Sequence, residues 1–282
     1  VHCFVALMRG FVIGIMMLGL PLVGSGQYFQ YSQYNFTDQR INPGLVASSD
    51  YASVGLIFRN QRTGASEVQI KSSTISAVYP LITRKTGKRW SGIGIALTDD
   101  RSGGIFSTQE ASISYAINIF LNRFQSLSLG FKGLYQGRSV DFGGLFTGSQ
   151  YIPDRGFDQS RSNGENVGLL RQDFATFSSG LYWQQADRQG QRVAYWGISF
   201  FDINRPQDSF LGIDHQLRST WVASGGLRIY ENRNMYVTPE FLFTHSATAN
   251  ILNVGAITSY VVRPYPNQVA GRVDLITKYV PG

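Results

Sequence analysis

The chain has 282 residues, 43% hydrophobic and only 15% charged, with 31 Gly, 19 Phe, 15 Tyr and a formal net charge of +7. So many aromatics exclude a disordered chain, and a modest positive balance gives no nucleic-acid signature. The single cysteine, Cys3, excludes a disulfide framework.

Residues 11–23, FVIGIMMLGLPLV, form the first apolar run, preceded by Arg9 and followed by Gly24-Ser25-Gly26. A basic start, a short apolar stretch and small residues at −3 and −1 predict a secretory signal peptide over 1–26, cleaved after Gly26. The run is shorter than the roughly 20 residues of a spanning helix. Met8-Arg9 reads as the natural start, with residues 1–7 as an extension. Cys3 lies in the removable part and no cysteine follows the apolar run, so neither a thiol site nor a lipoprotein anchor is expected. Without Arg9 the balance is 24 basic to 18 acidic residues.

Residues 27–50 form a polar, aromatic leader that begins QYFQYSQYNFTDQRINP. Tyr28, Phe29, Tyr31, Tyr34 and Phe36 place five aromatics in nine residues, separated by Gln, Ser and Asn. Such a segment has too little apolar surface to fold alone. It is expected to pack in the mouth of a larger structure, to bind a partner, or both. The candidate partner-binding residues are Tyr28, Gln30, Tyr31, Ser32, Gln33, Tyr34, Asn42 and Pro43, since Tyr joins a large contact area to a hydrogen-bonding tip.

From residue 51 onward the pattern alternates with period 2. In 110–119, Ala111, Ile113, Tyr115, Ile117 and Ile119 alternate with Glu110, Ser112, Ser114, Ala116 and Asn118. In 125–136, Leu127, Leu129, Phe131 and Tyr135 oppose Ser126, Ser128, Lys132 and Gln136. The pair predicts a hairpin through 121–124. Further strands are predicted at about 51–60, 67–79, 90–99, 174–185, 192–204, 218–230, 234–245, 250–262 and 271–280, eleven in all. One face is apolar, as with Trp221, Ala223, Leu227 and Ile229. The other is small or polar, as with Arg218, Thr220, Ser224 and Arg228. No later apolar run reaches the roughly 18 residues of a spanning helix. Strands near ten residues behind a signal peptide fit an antiparallel transmembrane β-barrel over 51–282. Its apolar face would meet lipid and its small face a lumen, so Arg at Ile117 or Leu129 should cost roughly 2–4 kcal/mol near the midplane and Arg at Ser114 or Ser128 much less. A soluble β-sandwich is the competing fold.

If β-strand one runs outward, the connections 80–89, 121–124, 186–191, 231–233 and 263–270 are periplasmic. The long ones, 137–173 and 205–217, then face outward, the usual asymmetry of such barrels. Bacterial barrels have even strand numbers, and Tyr279-Val280-Pro281-Gly282 is a poor closing strand. Strands beyond residue 282 are therefore expected.

Catalytic chemistry finds little support. His215 and His245 are the histidines outside the expected signal peptide, and no local His/Asp/Glu spacing suits a metal. His245 and Ser246 would point to opposite faces of a strand, so they form no Ser/His pair. Asp99, Asp100 and Asp141 read as solvated surface. Neither an enzyme nor a cofactor is expected.

Several ordered pieces resemble the PorP/SprF family of outer-membrane barrel proteins of the type IX secretion system of Bacteroidetes. They are the leader with Asn42-Pro43; Arg59-Asn60-Gln61; Ala77–Leu81; Trp90–Leu97 with Gly92 and Gly94; Leu127–Gly130; Asp141; and Gly197-Ile198-Ser199 followed by Pro206. Arg62 stands where the family often has Trp, and Gly44 follows Asn-Pro where it usually has Ala. The resemblance implies an outer-membrane barrel of about 14 strands. Arg59, Asn60, Gln61, Asp141, Gly197, Ser199 and Pro206 would be motif residues of structural weight. It also implies a role in anchoring or delivering secreted, adhesin-type clients at the cell surface in protein secretion and gliding motility. The partners would be other secretion components, the client and membrane lipid, with no nucleic acid. The alternative is a transport channel for small or hydrophobic solutes.

Overall fold

The computed structural model describes residues 37–62, 69–84, 87–141, 148–153, 155–158, 169–188, 190–208, 216–232, 235–246, 249–262 and 271–279. The expected signal peptide and leader residues up to Phe36 lie outside the described residues, as does His215.

A one-turn helix (Asp38–Ile41) and a 3-10 turn (Pro43–Ala47) precede the strands. The strands are β1 (Ser53–Arg62), β2 (Gln69–Ile82), β3 (Arg89–Ser102), β4 (Phe106–Phe120), β5 (Gln125–Asp141), β6 (Tyr151–Ile152), β7 (Gly156–Phe157), β8 (Leu169–Ala186), β9 (Arg192–Phe201), β10 (Thr220–Leu227), β11 (Tyr230–Glu231), β12 (Met235–Ser246), β13 (Ala249–Val262) and β14 (Gly271–Tyr279). One antiparallel sheet takes them in the order β1-β2-β3-β4-β5-β8-β9-β10-β12-β13-β14, with β11 beside β12 and β6–β7 a separate ribbon. This is a meander in which each main strand pairs with the next, and its eleven members match the eleven predicted segments.

The hairpin at 121–124 forms as expected. Asn122 Oδ1 accepts from Phe124 N at 2.8 Å and Gln125 N at 2.9 Å, an Asx turn that fixes the Ile117↔Leu129 register. Strand ends differ from expectation. β5 continues to Asp141 and β8 starts at Leu169, well beyond 136 and 174. Their outward positions there are Gly137, Ser139, Arg171 and Asp173, so the apolar half of the alternation is missing and the sequence reads as loop. β9 stops at Phe201 rather than 204, because Asp202 turns left-handed at φ 56°.

The two faces are reversed relative to a soluble sheet. Ile113 is 60% exposed while its neighbour Ser114 is 1% exposed. Leu129, Phe131, Tyr115 and Ile117 are exposed likewise, whereas Ser126, Ser128, Asn118 and Thr244 are buried. On β2 to β8 the apolar outward surface ends in register, while on β1 it runs one row further, to Phe58. Leu56, Ile75, Leu97, Ala111, Tyr135 and Ala175 form one cross-strand row. The next outward row on β2–β8 is Ser73, Asp99, Gln109, Gly137 and Asp173, and the one after is Lys71, Arg101, Ser107, Ser139 and Arg171.

The sheet is curved around its own N-terminal segment. Gln39 bonds to β2 and β3, while Ile41 and Leu45 share a buried cluster with Leu242 of β12. Laid flat, the seven steps from β2 to β12 would span roughly 34 Å at about 4.8 Å each. Seven residues in helical turns reach only about 10–14 Å, so the strands must wrap the segment.

Candidate functional site

The site is the segment Thr37–Ala47, held against the inner face of the sheet as a plug. Its shape is set locally. Asn42 caps the 3-10 turn, its Oδ1 accepting from Gly44 N at 2.8 Å, and Pro43 follows at the first helical position, where no N–H is needed. The Asn42 amide then reaches the wall, its Nδ2 donating to Leu181 O of β8 at 2.9 Å and Ile198 O of β9 at 3.2 Å.

Polar contacts continue around the wall. Gln39 Nε2 donates to Ile95 O of β3 at 3.1 Å and Ala77 O of β2 at 3.4 Å, and Ser114 Oγ of β4 donates to Gln39 Oε1 at 3.1 Å. Lys132 Nζ of β5 donates to Gln39 O at 3.3 Å, and Ser199 Oγ of β9 donates to Ile41 O. Arg40 pairs with Glu110 and donates to Thr98 Oγ1 at 3.1 Å. Gln184 Nε2 donates to Ser48 O at 3.0 Å. One short segment therefore fastens six consecutive strands of the wall, β2 to β9.

Five strand glycines make room for it. A Cβ at Gly92 would lie 2.0 Å from Val46 O, one at Gly130 2.2 Å from Gly44 N, and one at Gly180 2.2 Å from Asn42 Oδ1. At Gly94 and Gly197 it would lie 2.8 Å from the Gln39 and Asn42 side-chain amides. No side chain fits at the first three, because the obstructing atoms are backbone or a buried, doubly committed amide. Ile41 and Leu45 share a buried apolar cluster with Tyr182 of β8, Phe201 of β9, Val222 of β10 and Leu242 of β12.

Asp38 sits on the plug, where burial pushes its carboxyl up to about 6 against the opposing pull of Arg192. Beneath the plug, at the end bearing the 121–124 and 187–191 turns, lies a cavity of about 1060 Å³ whose lining includes Asp50, Arg89, Arg123, Gln184, Asp187 and Arg192. Arg89 pairs there with Asp50, and Arg228 Nη1 lies 2.9 Å from Asp187 Oδ2.

The structure brings together Asn42, Pro43, Gly197 and Ser199, which the sequence marked for separate reasons. It leaves Arg59, Asn60 and Gln61 at the far end of β1, where Arg59 donates to Gln61 and Asn60 Oδ1 accepts from Gln69 at 2.8 Å. Asp141 ends β5, and Pro206 lies in the connection after β9. Tyr28, Gln30, Tyr31, Ser32, Gln33 and Tyr34 lie outside the described residues. His245 Nδ1 lies 2.6 Å from Asn250 Oδ1, and its ring stands 5.4 Å from that of Trp221.

Sequence reasoning missed Gln39 and the glycine seat. The available signal was glycine recurring at inner-face positions of successive strands, as in Ser126, Ser128, Gly130, Lys132. The expectation that Arg costs much less at Ser114 and Ser128 than on the lipid face is corrected. Ser114 Oγ donates to Gln39 Oε1 of the plug and Ser128 Oγ to Asn118 Oδ1 at 2.9 Å, both serines 1% exposed, so neither side chain faces open water.

A family model described as type IX secretion system membrane protein PorP/SprF matches residues 23–267. No curated protein matches the chain.

Proposed function

Since the chain belongs to the PorP/SprF family of type IX secretion system membrane proteins, we propose that it is a plugged outer-membrane barrel that anchors or delivers a secreted, adhesin-type client. The family is one of secretion-system membrane proteins, not of enzymes.

The observation that carries the reading is the plug. A diffusion channel needs a continuous lumen, whereas here Thr37–Ala47 is fastened to six strands at the level where a lumen would run. The solute-transport reading is correspondingly disfavoured. The in-register row where outward residues turn from apolar to polar supports a lipid–water boundary. In this reading residues 1–26 are a cleaved signal peptide, and β1 and β14 join further strands, about 14 in all, to close the barrel. The leader 27–36 continues directly into Thr37, so a component bound to Tyr28, Tyr31 and Tyr34 is mechanically linked to the plug.

The functional test is a deletion strain complemented with the wild type or with Tyr28→Ala/Tyr31→Ala/Tyr34→Ala. Surface display of one adhesin should fall in the deletion and in the triple variant, with barrel abundance kept and other clients still secreted. Unchanged display with altered small-solute uptake would overturn the reading in favour of transport. Membrane placement is tested by folding into vesicles. Ile113→Arg should destabilise by about 2–4 kcal/mol and Gln109→Arg, beyond the boundary, by far less. Equal costs at the two positions would refute the boundary.

A further inference from the structure

The wall of the sheet has a step. β8 has 18 residues and β9 only 10, and their pairing begins at Ser179↔Phe200. Residues 169–178 of β8 thus rise beyond the end of β9 by roughly 30 Å of strand. β5 covers one edge of that rise without interruption, from Asp141↔Leu169 onward. The other edge is different.

In an antiparallel ladder alternate residues turn N–H and C=O to opposite neighbours. Ile203 N donates to Phe177 O at 2.9 Å, Phe177 N donates to Asn204 Oδ1 at 3.1 Å, and Asn204 Nδ2 donates to Ala175 O at 2.8 Å. Phe177 and Ala175 therefore face the β9 side, and so do Asp173 and Arg171. The connection after β9 then leaves the edge. Asp202 and Arg205 take left-handed φ, 56° and 43°, and Pro206 has no N–H to continue a ladder. There Gln207 O accepts from the Gln172 side chain at 2.9 Å, and Asp208 pairs with Arg138 of β5. Among the described residues nothing pairs with the N–H of Ala175 or with the N–H and C=O of Asp173 and Arg171.

Resting on the anchoring role proposed above, we infer that this free edge of β8 accepts an extended segment of the secreted client as an added strand. Five main-chain groups in strand spacing are complementary to another extended backbone and to little else. Selectivity comes from the side chains that flank them. Arg171 and Asp173 are paired at 3.1 Å on the outward face and offer opposite charges two residues apart, which favours a client strand carrying an acidic and a basic residue in the matching register. The edge lies beyond the apolar rows, at the end of the sheet with the long connections, where an exported segment would be met in that orientation.

Asp173→Pro removes one free-edge N–H without touching the β5 ladder, which uses the residues on either side. Ala175→Pro does the same one pair along. In the complemented deletion strain, either variant should lower display of the adhesin lost in the deletion by roughly tenfold, with barrel abundance and membrane insertion kept. As a second measurement, the full chain with Cys3→Ser and Arg171→Cys carries one thiol. Labelling it with a bulky maleimide should block binding of that adhesin's purified C-terminal region in detergent, and labelling at Ser139→Cys, on the covered strand β5, should not. Full display with the edge blocked would overturn the inference while leaving the anchoring role standing. Loss of dimer on blocking, with the client unaffected, would assign the edge to a second copy instead.

Discussion

The plug meets the wall in two unlike ways. Toward β3 and β5 it lies backbone against backbone, at Gly92 and Gly130, and toward β8 and β9 the Asn42 amide lies against Gly180 and Gly197 and donates to carbonyls of the wall. Toward β10 and β12 the contact is made by side chains, Ile41 and Leu45 sharing a buried cluster with Val222 and Leu242 that Tyr182 of β8 and Phe201 of β9 complete. The segment is therefore seated off-centre, keyed to one wall by shape and held from the other by apolar filling. Shape keying cannot yield when a side chain is added at Gly92 or Gly130, because the strand and the plug are both backbone there. Apolar filling can relax in part.

The largest effect is expected on the keyed side. Gly130→Leu or Gly92→Leu places a side chain where Gly44 N or Val46 O now sits. The seat should be lost altogether, at a cost of about 4 kcal/mol or more. Amide hydrogen exchange over 39–47 in detergent-solubilised protein should then rise to the level of a free segment, and persisting protection would break the account.

On the filled side Leu242→Ala should cost about 2–5 kcal/mol, since the cavity it leaves can close only partly. The plug should stay protected at its polar contacts while urea-unfolding midpoints fall. If Leu242→Ala released the plug as fully as Gly130→Leu, the two sides would not differ in kind.

Asn42→Ala removes the cap and two bonds to the wall. A loss of about 2 kcal/mol is expected, and Asn42→Asp, which restores the cap but not the donors, should recover only part of it.

The smallest effect is pH-dependent. Asp38 is raised to about 6 from an ordinary 3.8, so its contribution to seating is full below about pH 4 and is lost as pH rises through 6. The folded protein should be roughly 1–2 kcal/mol less stable at pH 7 than at pH 4 on this account, and Asp38→Asn should flatten that part of the profile. An unchanged profile in Asp38→Asn would show that another group carries it.

Much of the fold was written locally. Alternation such as Ile113-Ser114-Tyr115-Ala116-Ile117 fixes strand, face and period together, because neighbouring side chains of a strand point opposite ways whatever surrounds them. The 121–124 turn is local too, since Asn122 closes it by accepting from the backbone two and three residues on. Where outward residues turned polar, at Arg171 and Asp173, the alternation vanished and the strands looked shorter than they are.

The seat was decided only in three dimensions. Asn42 and Gly197 are 155 residues apart, and Gly92, Gly130 and Gly180 are on strands that meet through a wrapped sheet. A glycine on an inner face reads the same in sequence whether it bends a strand, faces water or admits another backbone. Its meaning here depends on which atom arrives opposite it, and that is set by sheet curvature and strand register, which no local stretch of the chain specifies.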